Sequence, residues 1–277
     1  VNRFLKRLFI TYAIIAFTIW ICEFVSFWFY PIAVVVLGNQ YYCLALLGHE
    51  GIHGILHKNI TINRILGRYF CHFPIFISLS HYGMNHLRHH RNLGTNEDPD
   101  LKIYENAYPS IASWVGQSIK NILTLKTIFY FINYFNGGID FLRGRYPFKM
   151  KTDLPHFFVY WFFIGVFVFS TGIYIELLMY LTVPVIILLP WFFVGNLYQH
   201  YSEPGENRSV TYTILFKNKW IQELLFPLNL NYHEVHHRHP DIPYYLLPNH
   251  SEPHGPDHLI GNSHGHLFIS LMTIGPH

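Results

Sequence analysis

Histidine dominates the chemistry this sequence can do. Of 277 residues, 20 are His. Eight of them fall into three tight groups: His49-Glu50-Gly51-Ile52-His53, His86-Leu87-Arg88-His89-His90 and His233-Glu234-Val235-His236-His237. On a helix, positions i, i+3 and i+4 share a face, so each group can aim its rings at one place. A ninth imidazole, His200, closes the segment Asn196-Leu197-Tyr198-Gln199-His200. Imidazole suits Fe, Zn, Cu and Ni. Nine rings are too many for one tetrahedral metal and match two metals with about four or five ligands each. An all-neutral ligand set leaves those metals strongly cationic, which favours a bridging water or hydroxide and acidic neighbours. Glu50, Glu203 and Glu234 stand beside the rings and could orient their N–H groups. His72, His81, His156 and His239 are isolated and read as ordinary structural residues. His57 continues the i+4 series from His53 and fits either reading.

Rings that must converge need elements to carry them, and composition says what kind. Hydrophobic residues make up 51%, aromatics 18% and charged residues only 13%, about half the charge of a soluble domain. Mean hydropathy is +0.20. This excludes a disordered chain, a collagen and a disulfide scaffold, and it predicts a membrane-embedded protein. The net charge of +3 is mild and gives no reason to expect nucleic acid as a partner. Three cysteines, Cys22, Cys43 and Cys71, lie in apolar runs and read as small buried hydrophobes. They are too few for an iron–sulfur cluster within the chain. The first residue is Val rather than Met, which predicts that residues precede it.

A spanning helix needs about 20 apolar residues. Four stretches qualify, at 8–29, 31–49, 154–175 and 177–198. They form two helical hairpins, with Pro31 suited to a first turn. Of the 19 Lys and Arg, three precede residue 8, twelve lie in 50–153 and four follow residue 200, so the hairpin turns carry none. The positive-inside rule then puts both termini and all three boxes in the cytoplasm. The fold class expected is all-α and integral membrane, with four transmembrane helices and a cytosolic helical cap bearing the boxes. One domain covers 1–250, and a tail rich in His, Gly and Pro, at 251–277, reads as surface loop. Residues 111–135 have the spacing of an amphipathic helix, lying on the membrane surface or packed on the cytosolic body. Phe70 to Leu79 is apolar but too short to span. His200, on a helix continuing the fourth span, would share a face with Asn196.

The order HxxxH, HxxHH, HxxHH, with NxxxH before the last box, resembles the integral-membrane fatty acid desaturase superfamily, which includes hydroxylases and carotenoid ketolases. The likeness extends over about 30–250 and includes the stretches 86–100 and 233–248. The resemblance implies a non-haem centre of two irons, with O2 as oxidant, that abstracts hydrogen from an unactivated C–H bond. It implies that His49, His53, His86, His89, His90, His200, His233, His236 and His237 bind iron, and that Asn196 holds one iron through a water. Desaturation of a fatty acyl chain is the activity expected, with lipid or carotenoid hydroxylation or ketolation as the alternative. The third box opens on His233 rather than Gln, unlike front-end desaturases. Neither a His-Pro-Gly-Gly element nor a GxGxxG fingerprint occurs, so a separate electron donor of ferredoxin or cytochrome b5 type is expected.

Two other readings compete. His49-Glu50-Gly51-Ile52-His53 is also HExxH, the helix of zinc proteases with Glu as general base. That reading leaves seven of the nine histidines without a role. A metal carrier would need ionisable residues inside the spans, and only Glu23 lies in one.

Overall fold

The computed structural model describes residues 3–101, 153–186, 200–202, 209–211, 213–216, 218–251 and 258–261. The chain divides into two units, one comprising Val1–Gly83 and Tyr130–Leu189, the other Met84–Phe129 and Pro190–His277.

The first unit holds α1 (Arg3–Trp20), α2 (Tyr30–Ile52), α3 (Ile60–Ile65), the first residues of α4 (Leu79–Asn92), α5 (Leu154–Thr171) and α6 (Tyr174–Leu177). Three stretches are long and apolar enough to cross a membrane: Arg3–Val25, Phe27–Ile52 and Leu154–Thr171. A shorter apolar helix runs over Tyr174–Ile186. The chain is an integral membrane protein by this measure. Phe9, Phe17 and Trp20 on α1 and Phe158, Phe162 and Phe169 on α5 are exposed, as lipid-facing side chains are. The second stretch differs, with 67% of its window buried against 17% and 11% for the other two. It is the core of this unit, and it ends in the first histidine box.

Helix ends depart from the hydropathy boundaries. The first helix begins at Arg3, ahead of residue 8, because helical hydrogen bonding continues outside the hydrocarbon. It stops short of residue 29, at Ser26, which turns extended (φ −167°, ψ 131°) and accepts a hydrogen bond from the Trp28 amide. Pro31 occupies the first turn of α2, as expected. The third helix ends at Thr171, since Gly172 adopts φ 76° and donates its N–H to Val168 O at 2.8 Å. The fourth span is described only to Ile186. Its remainder, Asn196 and the helix expected over 111–135 lie outside the described residues.

Between the first two boxes the chain folds back beside α2. Phe73 and Cys71 are buried there. A Cβ on Gly48 would lie 2.0 Å from the ring of His72. Glycine therefore lets that ring approach α2, where its Nε2–H donates to Ala45 O at 3.1 Å. His72 is a structural residue, as its isolation in sequence indicates.

The second unit contains the rest of α4, strands β1 (His200–Ser202), β2 (Ser209–Thr211) and β3 (Thr213–Phe216), helices α7 (Lys219–Leu225) and α8 (His233–Arg238), and strand β4 (His258–Gly261). β1 pairs antiparallel with β2, with His200 opposite Thr211, and β3 pairs parallel with β4. The described residues are mainly helical, as the all-α expectation has it, and these two pairs of short strands modify it. They are three or four residues long, too short for a period-2 pattern to register, although Val210, Thr211, Thr213 and Ile214 are β-branched. Two further corrections follow. His200 opens a strand rather than continuing a helix, and residues 258–261 of the tail form β4 rather than loop.

Candidate metal centre

Seven of the nine histidines lie in the second unit, and they sort into two groups that cut across the boxes. The ligand nitrogens of His89, His200, His233 and His237 lie within 4.8 Å of one another. His233 Nε2 is 3.1 Å from His200 Nε2 and 3.0 Å from His237 Nε2. In the other group, His90 Nε2 is 2.9 Å from His86 Nε2 and 3.1 Å from His236 Nε2. Helix geometry explains the sorting. Residues i and i+4 differ by about 40° around the axis, whereas i+3 lies about 60° to the other side of i. Each HxxHH helix therefore sends its outer pair to one group and its middle histidine to the other. α4 gives His86 and His90 to one group and His89 to the other; α8 gives His233 and His237, then His236. His200 arrives from β1.

In the first unit, His49 and His53 sit one turn apart at the end of α2, ring centroids 4.9 Å apart. His53 caps the helix, its N–H donating to His49 O at 3.3 Å, and burial pulls its pKa down to about 4.

Burial, then repulsion from neighbouring rings, holds His200, His233 and His237 well below the ordinary imidazole range. These rings are neutral at pH 7, each with one N–H and one lone pair. Burial would depress His89 as well, but its Nδ1 hydrogen bond to Asp98 Oδ1 at 2.9 Å and nearby Asp100 leave its pKa raised. Asp98 thereby keeps the proton on Nδ1 and the lone pair on Nε2. Asp98 is itself fixed, accepting from Asp100 N at 2.9 Å through Oδ1 and from Gly94 N at 3.1 Å through Oδ2. Gly94, at φ 74°, lets the chain reverse after α4 and bring Asp98 back onto His89.

Neutral imidazole nitrogens brought to 3.0–3.1 Å around a buried point suit a cation placed among them. The donor set is one that Fe, Zn, Cu and Ni accept. Both groups therefore fit metal ions.

The acid predicted beside the third box acts elsewhere. Glu234 Oε1 pairs with Arg238 Nε at 2.6 Å, and its Oε2 accepts from Thr213 Oγ1 at 3.5 Å. Glu203 lies outside the described residues. Asp98 and Asp100 had no role in the sequence reading. The signal is the acidic run Asn96-Glu97-Asp98-Pro99-Asp100, but a loop places it, and no helical period points to His89.

The sequence matches the family described as Fatty acid desaturase over residues 25–259. The chain belongs to the fatty acid desaturase family. It is therefore an oxidoreductase, and all nine histidines fall within the match. A dihydrorhizobitoxine desaturase of Bradyrhizobium elkanii is 29% identical over 251 residues, 85% of this chain and 70% of that protein. An sn-1 acyl-lipid omega-3 desaturase (ferredoxin) of Synechocystis sp. is 32% identical over 103 residues, 36% of this chain and 28% of its own length. A protein of the same description from Nostoc sp. (strain 36) is 23% identical over 240 residues, 80% of this chain and 66% of its own length.

Two predictions arise from this desaturase-family site. The first concerns pH in the metal-free protein. His200, His233 and His237 have folded pKa values below the ordinary 6.5, so between those values and 6.5 the unfolded chain binds more protons. Stability then rises with pH across that window and falls on acidification. His89 runs the other way: its contribution is present below 6.5 and lost as pH rises through its raised folded value. The depressed rings, His53 among them, outnumber the raised one, so the unfolding temperature in detergent should be lower at about pH 5.5 than at about pH 7.5. An equal or higher value at the acid pH would contradict the assignment. The second is that His200→Gln lowers both iron content and turnover, because it removes one of the four nitrogens of this group. Normal iron content and normal turnover would remove His200 from the ligand set.

Proposed function

We propose that the chain is an O2-dependent, non-haem di-iron oxidoreductase that removes hydrogen from an unactivated C–H bond of a lipid and desaturates an acyl chain. The carrying observation is the tetrad of His89, His200, His233 and His237, the first three buried, three of whose rings are held neutral inside a region matching desaturases. In this reading His89, His200, His233 and His237 hold one iron. His86, His90 and His236 belong to the other, and the family resemblance counts His49 and His53 among the iron ligands as well. Asn196 acts through a water. When bound, iron supplies O2 activation and hydrogen abstraction. The chain's own part is to present neutral nitrogens, to keep the His89 proton on Nδ1 through Asp98, and to exclude water by burial. The relatives named as acyl-lipid desaturases using ferredoxin support a lipid substrate and a ferredoxin-type donor. A cytochrome b5 type donor has no such support. The charge distribution favours both termini and the boxes on the cytoplasmic side.

Hydroxylation or ketolation on the same iron core is the second reading, since both outcomes share the first hydrogen abstraction. Mass spectrometry of lipids from cells expressing the active chain, against a histidine-box variant, separates them. Products lacking two hydrogens support desaturation, and products gaining one oxygen support hydroxylation. Lipids identical in the two cell lines would contradict the proposal.

A further inference from the structure

Outside the histidine groups, one buried carboxylate joins three segments of the first unit. Asp153 is wholly buried at the residue preceding α5. An Asp at that position ordinarily caps its own helix. Here the carboxylate makes no such bond to α5. It turns instead to the start of α4, the helix that carries the second box. Oδ1 accepts from Ser78 Oγ at 2.6 Å and from the Ser80 hydroxyl. Oδ2 accepts from Ser80 N at 3.2 Å and forms an ion pair with Arg68 Nε at 3.2 Å. The Asp153 amide donates back to Ser80 Oγ at 3.0 Å. Ser78 Oγ also accepts from His81 N at 3.2 Å, which caps the first turn of α4.

We infer that Asp153 is a positioning residue for the second histidine box. The inference rests on the metal-binding reading given above. Ser78 and Ser80 flank Leu79, the first residue of α4, so the clasp grips the helix on both sides of its first residue. It fixes where α4 starts and how that first turn is rotated. His86 follows Ser80 by six residues, about 9 Å along the axis. A ring nitrogen lies roughly 6 Å from the helix axis, so a rotation of about 10° at the clasp moves it by about 1 Å. Metal–ligand bonds tolerate only about 0.2 Å. The carboxylate is thus placed to set the aim of His86, His89 and His90 without touching them.

The test is a cobalt(II) titration of the metal-free full chain in detergent, following affinity and the visible ligand-field bands. Asp153→Ala should weaken cobalt binding about tenfold or more and alter the bands. Ser80→Ala, which removes two of the five bonds and leaves the Ser80 amide bond, the Ser78 bond and the Arg68 pair, should do the same to a smaller extent and carries the test if Asp153→Ala does not fold. Ser80→Thr keeps the hydroxyl and should bind as the unaltered chain does. A general loss of stability would lower the unfolding temperature and leave affinity and spectrum intact in the folded protein. Wild-type affinity and spectrum in Asp153→Ala or Ser80→Ala would overturn this inference alone. Failure of the unaltered chain to take up cobalt would instead defeat the metal-binding reading.

Discussion

Replacing His236 or His89 by alanine is expected to bring turnover to background while leaving a folded membrane protein. The two residues sit in different groups, His236 with His86 and His90, His89 with His200, His233 and His237. On the proposed two-iron reading each variant strikes a different metal, and each loss should be complete, because the proposed reaction draws on both. The fold should survive because neither ring belongs to α1, α2 or α5, the long apolar helices of the first unit. Turnover in membranes, with expression level and gel-filtration profile as the folding control, checks this. Full activity in His236→Ala would take the third box out of the centre. His254→Ala, in the tail, should leave turnover largely unchanged.

Asp98→Asn should cost about 10- to 100-fold in metal affinity or turnover, the usual range for loss of a carboxylate behind a ligating histidine. The amide oxygen of Asn can still accept the His89 Nδ1–H, so the ring keeps its place. What goes is the charge that raises the basicity of His89. Asp98→Ala removes the hydrogen bond as well and should be worse. Asp100→Asn should be milder, since its carboxylate stands 3.7 Å from the ring rather than 2.9 Å. Iron retention against a chelator, measured across the three variants, should follow that order. Equal retention in Asp98→Ala and the unaltered chain would show that the carboxylate has no hold on the metal.

Those two expectations had different origins, and the difference shows what a sequence can reveal. The boxes were legible because their residues lie on helices, where spacing reports direction. His86, His89 and His90 all fall in α4, and His233, His236 and His237 all fall in α8. Three apolar stretches were legible from hydropathy. Their ends were not, because hydropathy marks the hydrocarbon while hydrogen bonding and capping mark the helix, as at Arg3, Ser26 and Gly172. Sorting the histidines into groups across boxes required the α4 and α8 rings to face each other. His200 was expected on a helix continuing the fourth span and instead opens β1, since a three-residue strand leaves no periodic trace. Asp98 and Asp153 were invisible for a related reason. Each reaches its partner through a loop or across a long sequence separation: Asp98 to His89, Asp153 to Ser80.

The proposed function requires that this chain bind two metals through its histidines. Metal analysis of the native protein, produced with iron supplied and purified without chelator, tests it most directly. The expected ratio is close to two irons per chain, falling in His89→Ala and His236→Ala. A consistent single metal per chain, unchanged by either substitution, would contradict it.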